Sequence, residues 1–226
     1  MSVPPALDAG AVARLAADIA DASSGDVLVL HAEARDPFCR GLALPALTTP
    51  PSADLLEGLR RYADLLLMLA TGPHASVAVI EGGALGGGLG LATACDVVLA
   101  TPDARFGLPE TSAGLPPFIV WAVLARRMTI AARQRLALDG RAVTATEALQ
   151  LGLVDHVVPP HELTRSVTAS VRQLARVPSE TTALVKSHPP HAVALREALD
   201  TAVEQTWRRL HDGDVVRALA ERLEIA

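Results

Sequence analysis

The densest chemistry in this sequence lies in Ile80-Glu81-Gly82-Gly83-Ala84-Leu85-Gly86-Gly87-Gly88-Leu89-Gly90, with six glycines in eleven residues. Glycine has no Cβ, so a ligand can approach such a backbone closely. The run follows the apolar stretch Val77-Ala78-Val79-Ile80 and leads into Gly86–Ala94, which can form a short helix. The first amides of a helix have no acceptor within it and sit at its positive end. They can therefore bind an anion or a developing oxyanion. A nucleotide phosphate loop would need Lys and Ser/Thr after the last glycine, where this chain has Leu91 and Ala92, and no G-x-G-x-x-G occurs in the run. Two readings remain: an oxyanion hole, or glycines that serve close packing alone.

The second segment is Arg105-Phe106-Gly107-Leu108-Pro109-Glu110-Thr111-Ser112-Ala113-Gly114-Leu115-Pro116-Pro117. Glu110 stands between a proline and a long uncharged stretch. Desolvation there would raise its pKa and suit it to carry protons. A helix N-cap or a surface carboxylate is the other reading of the same position.

The elements that must hold these residues follow from periodicity. Leu7, Val12, Leu15 and Ile19 predict a helix with Asp8 as N-cap, and Val27–Leu30 predicts a strand buried on both faces. Leu55, Leu59, Tyr62, Leu66 and Leu69 line one face of a second helix, opened by Ser52 and Asp54 with Glu57 three residues on as in a capping box, and stopped at Gly72-Pro73. Strand, glycine turn, helix and a further strand at Asp96–Ala100 form a crossover rhythm, so the sheet should be largely parallel. Helices are expected at Ile119–Met128, Ile130–Leu138 and Ala145–Leu151, then a strand at Val154–Val158. After His161 the chain reads as helix broken at Pro178, Pro189-Pro190 and Asp212-Gly213-Asp214. Asp96 is read as ordering its turn.

Half of the 226 residues are hydrophobic but only 3% are aromatic, so Ala, Val and Leu must fill the core of an α/β chain of one domain or a core plus an appendage. A net charge of -5, no long basic run and few aromatics argue against nucleic acid as a partner. Cys39 and Cys95 are too few for a disulfide framework or a zinc site, and read as buried thiols of a reducing cytoplasm. The prolines around His188 and His191 argue against a metal pair. No signal-peptide pattern opens the sequence, and its most apolar stretches fall short of the roughly 18 residues a membrane span needs.

Ala84–Leu115, ALGGGLGLATACDVVLATPDARFGLPETSAGL, resembles the signature region of the crotonase (enoyl-CoA hydratase/isomerase) superfamily. Phe38–Leu44 (FCRGLAL), Ala145–Pro159 and the ALDAGAVARL stretch near the start are similar to further segments of that family, in the right order. The resemblance implies a ββα spiral core over 1–160 and a C-terminal helical trimerisation region over 161–226, in a homotrimer or hexamer. Val203, Trp207, Leu210, Val215 and Leu219 would make the subunit contact. It also implies an acyl thioester, of coenzyme A or of a phosphopantetheine carrier protein, with no separate cofactor. The amides of Gly87 and Leu42 would polarise the thioester carbonyl, Glu110 would move the proton, and Gly41, Gly86, Arg40, Arg35 and Leu115 would bind substrate.

Family hydratases place a further glutamate where this chain has Gly90. The single carboxylate is instead similar to the family's double-bond isomerases. Rival likenesses are to polyketide-pathway dehydratases or decarboxylases, and to a non-catalytic subunit of the same fold. Ala43 replaces the aspartate usual after the first oxyanion donor, and the family's opening β-hairpin beside the CoA pocket is not seen ahead of Leu7.

Overall fold

The computed structural model describes residues 1–33, 37–43 and 51–225, with side chains through 221. It begins with strand β1 (Ser2–Val3), helix α1 (Ala9–Ala20), β2 (Val27–Ala32) and α2 (Ala53–Thr71). Next come β3 (Ala75–Ile80), β4 (Gly83–Leu85), α3 (Gly87–Ala94), β5 (Val97–Ala100) and β6 (Arg105–Gly107). A 3-10 turn at Pro109–Ala113 leads to α4 (Phe118–Leu124), α5 (Ile130–Asp139), β7 (Val143–Thr144), α6 (Ala145–Gln150) and β8 (His156–Val157). Helices α7 (Leu163–Leu174), α8 (Ser179–Lys186), α9 (Pro189–Arg209) and α10 (Gly213–Ile225) complete the chain.

Two sheets organise these elements. The larger has the order β1-β2-β3-β5-β8, parallel throughout, and the smaller has β4-β6-β7. A long strand, a short strand in the other sheet and then a helix make one turn of a spiral, seen in β3-β4-α3 and again in β5-β6-α4. The short strands escape sequence reading because three residues, one of them glycine, show no period. β1 was not foreseen either; it pairs parallel with β2, and the Met1 amino group donates to the Val29 carbonyl at 2.8 Å.

The crossover helices bury the main core. Asp8 caps α1 as its sequence predicts, accepting from the Ala11 amide at 2.7 Å. The second cap differs: Ser52, not Asp54, accepts from the Leu55 amide, and Glu57 pairs with Arg61 instead of closing a box. The strand β2 is not equally buried on both faces. Leu28 and Leu30 enter the main core, while Val27 and Val29 are half-buried against a second cluster of Val77, Val79, Leu99, Val158 and Leu163, which α7 covers with Val167, Val171 and Leu174.

Four of the five positions expected between subunits are buried inside this chain. Val203, Leu210, Val215 and Leu219 are only 5%, 0%, 2% and 1% exposed, and Trp207 packs edge-on against His211 with ring centroids 4.7 Å apart. Helices α9 and α10 fold back onto α2, α4 and the 3-10 turn, and that packing covers the four aliphatic side chains while Trp207 stays half-buried.

Asp96 does order its turn, accepting from the Ser76 amide and hydroxyl at 2.8 and 2.9 Å. Lys186 of α8 reaches it at 2.6 Å and also donates to the carbonyls of Leu69 and His74. The lysine side chain is 7% exposed, so this ion pair is largely desolvated. Lys186→Met leaves the half-buried Asp96 carboxylate with its Ser76 hydrogen bonds but without its close cation, the next one, Arg126, standing 3.9 Å away. It is expected to lower stability by about 3 kcal/mol, read as a lower urea midpoint at unchanged slope.

Candidate active site

The glycine run and the Phe38–Ala43 segment are stitched together by backbone pairing. Cys39 accepts from the Leu85 amide at 2.9 Å and donates to Gly83 at 3.0 Å. On the other side Leu7 donates to Gly41 at 2.8 Å and Ala43 donates to Leu7 at 2.9 Å. This parallel bridge uses the Gly41 carbonyl and the Ala43 amide, and leaves the Leu42 amide beside the glycine run. Among the described residues, neither the Leu42 nor the Gly87 amide has a hydrogen-bond acceptor.

Only glycine permits this approach. A Cβ on Gly41, whose φ is +99°, would lie 2.6 Å from the Gly87 nitrogen, and one on Gly88 would lie 2.1 Å from the Cys39 carbonyl oxygen. A Cβ on Gly87 would fall 3.3 Å from the Leu42 nitrogen, so the two free amides flank the same spot. Gly87 is the first residue of α3, where the helix adds its positive end.

Glu110 is delivered by the 3-10 turn. Pro109 starts it, the Thr111 and Ser112 hydroxyls bond back to Leu108 and Pro109 at 2.8 Å, and left-handed Gly114 ends it. Gly114 in turn accepts from Arg209 at 3.0 Å, which ties α9 to the turn. The Glu110 carboxylate lies over Gly86: a Cβ there would sit 3.2 Å from Oε2. Burial pushes the Glu110 pKa up to about 7, as the uncharged neighbourhood in the sequence suggests.

Leu42, Gly86, Gly87, Glu110, Arg40 and Leu115 all line one cavity of about 530 Å3, and Gly41 borders it through Gly87. Arg40 is exposed at the cavity wall, whereas Arg35 lies outside the described residues. Glu110 is the only acidic residue among the described residues that line it. The rest of the wall is chiefly apolar: Leu59, Pro117, Phe118, Ile119, Val120 and Leu219. Both thiols are buried and free. Burial holds Cys39 near a pKa of about 11 and Cys95 near about 12.

Thr206, Leu219 and Tyr62 are among the wall residues not foreseen. Thr206 of α9 and Leu219 of α10 close the cavity from the C-terminal region, and long-range packing of this kind leaves no local signal. Tyr62 of α2 reads in the sequence as one more core position. In the fold it is 1% exposed and donates its hydroxyl proton to the Gly87 carbonyl at 2.5 Å. The lone tyrosine of the chain on an otherwise aliphatic helix face was the available signal.

Comparison with known proteins gives the family. A family model described as enoyl-CoA hydratase/isomerase matches residues 6–213. The chain is 32% identical over 79% of its length to the bovine (Bos taurus) enoyl-CoA hydratase domain-containing protein 2, mitochondrial, covering 58% of that protein. It is 35% identical over 62% of its length to carnitinyl-CoA dehydratase of Salmonella arizonae, covering 51% of it. The chain thus spans about half the length of the curated relatives it matches. Among solved structures, an enoyl-CoA hydratase from Bacillus halodurans superposes with a TM-score of 0.87 at 24% identity, over 97% of this chain and 90% of that one. A putative polyketide biosynthesis enoyl-CoA hydratase from Bacillus subtilis gives the same TM-score at 21% identity, over 97% and 88% of the two chains. The ββα spiral, the paired amides and the family match lead to one assignment: this chain belongs to the enoyl-CoA hydratase/isomerase family of the crotonase superfamily.

Proposed function

We propose that the chain binds an acyl thioester and moves a proton between carbons of its acyl chain, with Glu110 as the single acid/base and double-bond migration as the outcome. The observation that carries this reading is the cavity itself: two free amides and one carboxylate of raised pKa share it. The thioester carbonyl oxygen accepts from the Leu42 and Gly87 amides, which stabilise the dienolate formed as a proton leaves. One such donor is worth a few kcal/mol of barrier. Glu110 takes the proton from the α-carbon and returns it to the γ-carbon, or runs the reverse, so no atom is gained or lost. A group titrating near neutrality suits both halves of that transfer. Coenzyme A or phosphopantetheine enters only as part of the substrate, with Arg40 at the cavity wall to meet its polar end.

The test is exchange in deuterium oxide. Wild-type protein given a 3-enoyl-CoA is expected to wash deuterium into the α and γ positions while the 2-enoyl isomer accumulates. Exchange at the α-carbon without migration would move the reading to dehydration or decarboxylation. No exchange and no thioester binding would leave a non-catalytic subunit.

A further inference from the structure

We infer that Tyr62 is the residue that confines this site to proton transfer, because its buried hydroxyl occupies the space beside Gly90 and leaves no room there for a second acid/base. The inference rests on the thioester reading above and names what sets its reaction outcome.

The two residues exclude one another's alternatives. A Cβ on Gly90 would lie 2.3 Å from the Tyr62 hydroxyl oxygen, closer than non-bonded atoms approach, with Val120 at 3.4 Å and Leu66 at 3.6 Å behind it. No side chain, and so no second carboxylate, fits at position 90 while the tyrosine stands there. The tyrosine is held where it stands: it is 1% exposed and anchored to the Gly87 carbonyl at 2.5 Å.

Addition of water to an enoyl thioester breaks a water O–H bond, forms a C–O bond at the β-carbon and puts a proton on the α-carbon. It needs room for the water and a base to take its proton. The Tyr62 hydroxyl supplies neither. Its one proton is committed to Gly87, and burial, with Cys39 and Glu110 adding to it, holds its pKa well above the ordinary phenol value. Migration needs only a carboxylate that gives back the proton it took. The same hydroxyl holds residue 87, whose amide polarises the carbonyl, so Tyr62 acts as a positioning residue in that second respect.

The experiment compares wild type, Tyr62→Phe and the double variant Tyr62→Ala with Gly90→Glu, on crotonyl-CoA for hydration and on a 3-enoyl-CoA for migration. Wild type is expected to migrate the double bond with hydration below about one hundredth of that rate. Tyr62→Phe should slow migration about fivefold, the loss of one hydrogen bond, and raise hydration at least tenfold. The double variant should hydrate faster still. Admitted water also shifts the pH midpoint of migration downward in Tyr62→Phe, which a purely structural role would not do. Two further measurements need no turnover. Gly90→Ala should lower the melting temperature and adding Tyr62→Phe should recover most of it, and the carbon-13 titration of Glu110 should move to lower pH in Tyr62→Phe. Unchanged hydration, an unchanged Glu110 titration and no recovery of Gly90→Ala would overturn the proposal. A wild type that exchanges no proton on any thioester, with the titration and recovery as expected, sinks the function and leaves the exclusion standing.

Discussion

Glu110→Gln is expected to reduce proton exchange by about 10²–10⁴-fold, the usual worth of one positioned acid/base, while thioester binding changes little. Gln keeps the shape and the position over Gly86 but cannot take up a proton. In wild type the rate should rise about tenfold per pH unit up to about pH 7 and level off above, because only the ionised carboxylate removes a proton and burial holds its pKa near that value. The same displacement has a stability consequence of opposite sense. The folded pKa is raised above the ordinary 4.5, so the native state binds this proton more tightly than the unfolded chain does. Its favourable contribution is complete below about pH 4.5 and is lost as pH rises through about 7. Glu110→Gln removes that loss. The variant should match wild type near pH 4 and exceed it at pH 8 by up to about 3 kcal/mol, at about 1.4 kcal/mol per unit of displacement. Chemical denaturation at the two pH values reads the difference. A variant that retains full exchange would show that the carboxylate is not the base, and one that gains nothing at pH 8 would show that it is not desolvated.

Much of this site was legible in local sequence because its chemistry depends on local backbone. The Gly86-Gly87-Gly88 run had to be a close approach to backbone, and its partner is the Cys39–Leu42 segment, with no Cβ tolerated at 41 or 88. Glu110 could be read as desolvated from Pro109 and the uncharged residues after it. Asp96 at a strand start did prove to be a turn-ordering carboxylate, although its partner Lys186, 90 residues away, had no signature. The failures share a cause. Tyr62 looked like any residue on the buried stripe of α2, and only the fold sets its hydroxyl against Gly87 and Gly90. Val203, Leu210, Val215 and Leu219 carry an apolar pattern that says they are covered, not by what. Here the cover is the chain's own turn and helices. The cap at Ser52 shows the same limit on a small scale: two cap-forming residues stood two apart, and spacing alone chose the wrong one.

Gly41→Ala carries the second large effect and isolates the oxyanion hole from the acid/base. Two consequences of the added methyl can be separated. One is backbone strain, because Gly41 sits at φ +99°, and a residue with a Cβ pays about 1–3 kcal/mol there. The other is local: the methyl would come 2.6 Å from the Gly87 nitrogen and 3.1 Å from the Leu85 carbonyl oxygen, covering one of the two amides and forcing the segments apart. Gly25 provides the control. Its φ is +92° and a Cβ there meets nothing within 4 Å, so Gly25→Ala imposes comparable strain far from any amide of the site. Both variants should therefore lose stability. Only Gly41→Ala should lose turnover, by about 10²–10³-fold in kcat, the worth of one oxyanion donor. Glu110 is untouched, so the pH midpoint of the residual activity should stay near 7. A Gly41→Ala protein that turns over within threefold of Gly25→Ala would mean that the thioester oxygen is polarised elsewhere, and the convergence of the Leu42 and Gly87 amides would be a feature of packing alone.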